Sequence, residues 1–199
     1  PVPKLDGRDI SYTTDAPHSA DFFFNIPDGH RRWITALDGA GCGLVQTSTD
    51  RLRGRKLFVW GQGAGGRRWQ TFLARPGHAY LEIQAGLART QMEHVPMPAH
   101  SRWSWLEAYG LLQTDPAKTH GDDWNDACQH VEQHLEELVP RAALQEEFIR
   151  AGEWTDAQPM EIIQQGTGWG ALEQMRREVQ GEAPMMAGGL LFPSTSLGP

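Results

Sequence analysis

Glu82 and Gln84 stand two residues apart in the run Tyr80-Leu81-Glu82-Ile83-Gln84. On an extended chain they project to one side with Tyr80, away from Leu81 and Ile83. Gln91, Glu93, His94 and Glu107 follow, interleaved with Trp103 and Trp105. Carboxylates, amides and flat aromatic rings are what a sugar site uses, because hydroxyls seek planar donors and acceptors while the C–H face of a pyranose stacks on Trp. A glutamate of suitably tuned pKa can then take a proton from a sugar hydroxyl. Glu82 is the candidate base, with Gln84, Gln91, Glu93, His94, Trp103, Trp105 and Glu107 as candidate substrate contacts. Hydrolysis would need a second carboxyl about 5 to 9 Å away across the glycosidic bond, for which Glu93 or Glu107 is available. Taken singly, Trp103 and Trp105 read more simply as strand residues filling a core.

Other motifs carry less. Gly61-Gln62-Gly63-Ala64-Gly65-Gly66 has the GxGxxG form, follows a predicted strand, and precedes Glu82 at the spacing of a ribose-binding acid, which makes a nucleotide-binding enzyme a minor alternative. Its surroundings argue otherwise. Residues 67–74 are short and polar for a crossover helix, Pro76-Gly77 cuts them off, and no strand–helix alternation follows. A glycine-rich loop between antiparallel strands explains the same residues. His130 and His134 have the i, i+4 spacing of a chelating pair, but HExxH is absent and a Gln- and Glu-rich helix surface needs no metal. Cys42 and Cys128 lie far apart and outside any CxxC pair, so neither a disulfide framework nor structural zinc is indicated. No metal and no cofactor is expected.

The elements that must position these residues fall into two kinds. Up to about Gly110 the chain reads as short apolar runs cut by Gly and Pro: Phe22-Phe23-Phe24, then residues 32–36, 43–47, 56–60, 79–84 and 101–105. Asp38-Gly39-Ala40-Gly41 predicts a tight antiparallel hairpin. Past Thr114, Trp124, Ala127, Cys128, Val131, Leu135 and Leu138 recur at helical steps, with Asp122 or Asp123 as N-cap and Pro140 ending this helix or opening the next. A second helix is expected over 141–151, with shorter ones near 159–165 and 171–179. The expected organisation is a β portion over 1–114, a helical extension over 115–180, and an extended tail or linker over 181–199.

The balance of the whole chain excludes several classes. It has 199 residues, with 18 Lys and Arg against 25 Asp and Glu and no strongly basic block, so nucleic acid is not an expected partner. No apolar run approaches the roughly 18 to 20 residues that span a bilayer, so no membrane association is expected. The first residues lack a charged segment followed by an apolar one, which reads as cytoplasmic, and the missing initiator Met reads as a processed or excised chain.

The stretches Gly54-Arg55-Lys56-Leu57-Phe58-Val59-Trp60-Gly61, Gly65-Gly66-Arg67-Arg68-Trp69, Tyr80 through Gly86, Thr90-Gln91 and Trp103-Ser104-Trp105-Leu106-Glu107 together resemble a bacterial family of unknown function. Its members resemble galactose mutarotase in fold and often carry tetratricopeptide repeats after that domain. The likeness covers residues 21–110 and continues weakly through 168–172 and 191–193. It implies a mainly β chain with an α-helical C-terminal extension, in which the β part is a portion of an antiparallel β-sandwich, the mutarotase-like supersandwich. In the aldose epimerase relatives, a Glu followed two residues later by Gln is the general base on the anomeric hydroxyl, and Glu82 with Gln84 matches that pair. The relatives' histidine acids belong to an earlier half of the domain that has no counterpart here; His18 does not have their spacing. The resemblance thus implies a saccharide as partner and an epimerase-like or glycoside hydrolase-like activity within a larger polypeptide. A non-catalytic sugar-binding or protein-interaction module is the alternative. Missing strands would be compensated by self-association or by the remainder of that polypeptide.

Overall fold

The computed structural model describes residues 2–154 and 169–182. Two compact units divide the chain, Pro1–Phe148 and Ile149–Pro199. The first contains all the strands among the described residues. A small hairpin, β1 (Lys4–Leu5) and β2 (Arg8–Asp9), opens it and is followed by two three-stranded antiparallel sheets. One sheet has the order β3–β6–β7, from Ala20–Phe23, Gly54–Val59 and Leu81–Gly86. The other has the order β4–β5–β8, from Arg32–Leu37, Cys42–Ser48 and Glu107–Gln113.

Local chemistry explains the β4–β5 hairpin. Asp38 Oδ1 accepts the N–H groups of Ala40 (2.9 Å) and Cys42 (3.0 Å), closing an Asx-type turn. Gly41 completes it at φ +75°, where a Cβ would lie 2.6 Å from the Thr114 carbonyl oxygen. The turn therefore also receives the end of β8, whose next residue, Thr114, gives its N–H to Gly41 at 2.9 Å.

Period-2 alternation sorts the β3–β6–β7 sheet into two unlike faces. Phe22, Leu57 and Ile83 stand opposite one another, as do Ala20, Val59 and Leu81. Leu57 and Val59 join Ile10 and Ala16 in a buried cluster to which Leu5, Phe22, Phe24 and Leu81 add partial cover. The other sheet packs against α3 (Trp124–Leu138): Val45 and Leu112 meet Val131 and Leu135, flanked by Trp33 and Leu37. Asp123 is the N-cap of α3, accepting from the Asn125 and Asp126 N–H groups. Between the strands and α3 lies the single turn α2 (Pro116–Thr119), and after it α4 (Arg141–Trp154). The last described strand ends at Gln113, and the first compact unit extends to Phe148 because α3 covers one face of a sheet.

Three local expectations are corrected. Ser101 to Trp105 is not a strand: Ser101 turns back on the Pro98 carbonyl through its N–H and hydroxyl, and sheet pairing starts only where Leu106 and Thr49 exchange hydrogen bonds. A helix, α1 (Ala64–Leu73), occupies most of the segment expected to be a glycine-rich loop, short and polar for a crossover helix. Leu138, counted on the apolar stripe of α3, is exposed. In the second unit, α5 (Trp169–Gln180) covers the helix expected at 171–179, and Arg176 pairs with Glu182 at 2.9 Å just beyond it. The helix expected at 159–165 and the tail from 183 onward lie outside the described residues.

Candidate functional site

The second face of the β3–β6–β7 sheet is polar with an aromatic border. Asp21, Phe58 and Glu82 stand opposite one another across its three strands, and one step along so do Phe23, Lys56 and Gln84. Gln84 donates its amide N–H to Glu82 Oε2 at 3.0 Å. The Lys56 ammonium is held by Asp21 Oδ1 at 2.7 Å and by Gln91 Oε1 at 3.1 Å, and lies within 6 Å of both Phe23 (5.8 Å) and Phe58 (5.6 Å). Lys56 is nearly buried, so its carboxylate partner and the ring faces replace lost water. Beyond Phe58 the aromatic edge continues through Trp60 (edge-on, 4.9 Å) and Trp69 of α1 (stacked, 5.2 Å) to Phe72, which is 79% exposed.

Of the residues singled out from sequence, Glu82, Gln84 and Gln91 belong to this face. Tyr80 lies one residue before β7. Glu93 and His94 sit in an exposed loop, where Glu93 Oε2 accepts the Arg89 N–H at 2.9 Å. Trp103 is stacked beneath the Arg51 guanidinium, 4.2 Å from the ring centre. Glu107 belongs to the other sheet, and Trp105, in the loop just before it, reaches it through its ring N–H. Asp21, Lys56, Phe58, Trp60 and Trp69 were not anticipated, although Lys56 and Phe58 alternate with Leu57 and Val59, and that alternation alone assigns them to one face.

Glu107 is the centre of a separate cluster. Its carboxylate accepts from Trp105 Nε1 (3.1 Å), Tyr109 OH (2.6 Å) and Gln46 Nε2 (2.9 Å). Partial burial pushes its pKa up, but the bonds from Tyr109, Trp105 and Gln46 and the charge of Arg55 outweigh burial and hold it below the ordinary 4.5. The bond to Glu107 in turn raises the Tyr109 phenol. A carboxylate so fully occupied orients the flanking Trp105 and Tyr109 rings; it has little accepting capacity left for a substrate. Arg55 approaches Glu107 from the apolar face of the first sheet, since it pairs with Ala85, on the side opposite Glu82. The two glutamates therefore do not share a surface.

A lowered folded pKa stabilises the fold above the unfolded value, and that contribution is lost as the pH falls through the folded one. The acid limb of the stability curve below pH 4.5 should accordingly be shallower in Glu107→Gln than in the parent, measured by urea unfolding at successive pH values. An unchanged limb would mean that the cluster does not hold the carboxylate ionised.

The glycine-rich turn is built for packing. Although α1 is helical, it joins β6 to a β7 that returns antiparallel, so the parallel strand–helix–strand unit of a dinucleotide fold is not formed. Gln70 donates to the Gly61 carbonyl at 2.8 Å and ties the helix to the turn. The His130 and His134 rings lie 4.3 Å apart, with His130 Nε2 accepting from the Asp115 N–H and His134 Nδ1 beside the His130 carbonyl. No group of three or more His, Cys, Asp or Glu side chains suited to a metal occurs among the described residues. His18 is exposed and lies 3.4 Å from Asp6.

These features define a small, antiparallel, β-rich domain with helices and one polar, aromatic-bordered sheet face. Comparison of the chain with family models, curated proteins and solved structures found no match. Among the described residues no helix is long and apolar enough to cross a membrane.

Proposed function

We propose that this chain is the saccharide-binding part of a mutarotase-like domain, with the polar face of the β3–β6–β7 sheet as its recognition surface and Glu82 as the base on a sugar hydroxyl. The observation that carries this reading is the register that puts Asp21, Lys56, Glu82 and Gln84 on one face, linked to Gln91 and bordered by Phe58, Trp60 and Trp69. Glu82 Oε1 has no hydrogen-bond partner among the described residues, which suits an oxygen that must accept a hydroxyl proton. The antiparallel sheets suit a partial sandwich, and a complete epimerase-like or hydrolase-like site would take its acid from the remainder of a larger polypeptide. β8 is an outer strand of its sheet, and the face that carries Tyr109 (65% exposed), Leu111 (75% exposed) and Leu44 is the surface such a remainder or a second copy would cover. Free Cys42 and Cys128 thiols fit a reducing, cytoplasmic setting.

Titration with a broad panel of monosaccharides and methyl glycosides, followed by tryptophan fluorescence and melting temperature, tests the reading. A binding sugar should lose about ten- to a hundredfold in affinity in Lys56→Met, the effect of deleting a charge-assisted hydrogen bond. In the intact polypeptide, Glu82→Gln should cut turnover by about 10²- to 10⁴-fold while binding persists. If no saccharide perturbs either signal, the reading is wrong; turnover unchanged in Glu82→Gln removes Glu82 as the base.

A further inference from the structure

The flank of α1 away from Trp69 borders a cavity of about 350 Å³. Arg67 of α1 lines it, with Arg75 and His78 of the turn that follows the helix and Gln62 of the turn before it. All three of Arg67, Arg75 and His78 are exposed, so a molecule in the cavity can reach them. No carboxylate stands among the described lining residues, in a chain with 25 Asp and Glu against 18 Lys and Arg. Asp15 adjoins the lining residue Thr14 and accepts its hydroxyl at 3.3 Å, but is not itself on the lining.

Local structure holds these groups together. Pro76 and Gly77 (φ +83°) occupy the middle of a β-turn that His78 closes by donating its N–H to the Arg75 carbonyl at 3.0 Å. Such a turn keeps its first and last Cα atoms within about 7 Å, so Arg75 and His78 leave the backbone near one another. Arg67 donates from Nη1 to the Gln62 carbonyl at 2.7 Å, which fixes its guanidinium against the turn before α1. Its other donors, the Arg75 guanidinium, the His78 ring and the Gln62 side-chain amide make no hydrogen bond or ion pair among the described residues. The carbonyl end of α1 at Leu73 accounts for one cation beside it, Arg75; Arg67 sits nearer the opposite end, where a cation opposes the helix dipole. Unpaired like charges on one cavity favour an anion within it.

We propose that this cavity binds a small phosphate monoester, its phosphoryl group taken by the Arg67 and Arg75 guanidinium groups, with His78 and the Gln62 amide as further donors. A phosphate carries close to two charges and three strong acceptor oxygens, which two guanidinium forks can share; a carboxylate fills one fork. The volume exceeds that of a phosphoryl group and leaves room for the body that the ester carries. Neither Glu82 nor Lys56 lines the site, and it does not rest on the saccharide reading.

Calorimetric titration of the whole chain at fixed ionic strength tests this, with glycerol 3-phosphate and O-phosphoserine as probes, inorganic phosphate as the bare group and glycerol as the uncharged control. The expected result is saturable, one-to-one binding of at least one ester, tighter than that of inorganic phosphate, and none of glycerol. Arg67→Gln and Arg75→Gln should each weaken it about ten- to a hundredfold, the scale of one charge-assisted hydrogen bond. Arg68→Gln removes the same charge from a neighbouring position off the lining and should change the affinity by no more than about twofold, the scale of a screened charge in solvent. Circular dichroism checks that each variant is folded; should Arg67→Gln not fold, Arg75→Gln decides, since its side chain holds no contact within the described residues. No saturable binding of either ester, inorganic phosphate bound as tightly as both, affinity unchanged in Arg75→Gln, or an equal loss in Arg68→Gln would each overturn the proposal.

Discussion

Arg55→Met should destabilise the protein by about 3 to 5 kcal/mol, the range seen when one member of a buried charged network is deleted. Arg55 is 1% exposed, and its guanidinium spans both sheets. Nη1 donates to the Leu52 (2.9 Å) and Gly54 (2.8 Å) carbonyls, and Nη2 to the Arg32 carbonyl (3.1 Å) and the Ser48 hydroxyl (2.7 Å). Burial draws its pKa down to about 10, against the opposing pull of Glu107. Methionine matches much of the volume but leaves those acceptors dry, and unsatisfied buried acceptors cost about 1 to 3 kcal/mol each before relaxation. Lysine, a single point charge, cannot reproduce the planar fork and should recover only part of the loss. Urea unfolding monitored by tryptophan fluorescence gives the number. A change within about 0.5 kcal/mol, the ordinary range for a surface substitution, would show that Arg55 does not clamp the sheets together.

The second large effect divides the glycines of the GxGxxG run into two pairs. Gly61 adopts φ +71°, and a Cβ there would lie 2.2 Å from the His18 carbonyl carbon; at Gly66 it would lie 2.2 Å from the Trp60 carbonyl oxygen and 2.3 Å from that of Gly61. All of these are backbone atoms, so relief requires moving the chain. Gly61→Ala and Gly66→Ala should each cost about 3 kcal/mol or more, combining strain with lost packing. At Gly63 and Gly65 a Cβ meets nothing within 4 Å. Gly63→Ala at the N-cap of α1 should be nearly neutral, and Gly65→Ala within α1 should stabilise by up to about 1 kcal/mol through helix propensity. A dinucleotide fingerprint needs its second glycine, here Gly63, for the approach of the pyrophosphate. Melting temperatures of the four variants separate the cases, and equal losses at all four would contradict this packing account.

Much of the local structure was legible in the residue order. Asp38 to Gly41 announces its hairpin because the Asx turn and the left-handed residue are encoded within the turn. The α3 stripe and its Asp123 cap are likewise near-neighbour effects. The errors have equally specific causes. Trp103 and Trp105 mimic strand alternation, yet one ring is satisfied by Arg51 and the other by Glu107, contacts that no local pattern reveals. Residues 67–74 look short and polar for a crossover helix, yet α1 forms because Gln70 ties it to the Gly61 carbonyl and Trp69 stacks on Trp60.

Glu82 and Gln84 share a face on residue order alone, because side-chain direction in a strand depends only on the parity of position. That Asp21 and Lys56 join Glu82 while Glu107 belongs to the other sheet follows from strand pairings between distant segments. Strand order and register come from many weak contacts between distant segments, and their sum is not written in any one of those segments.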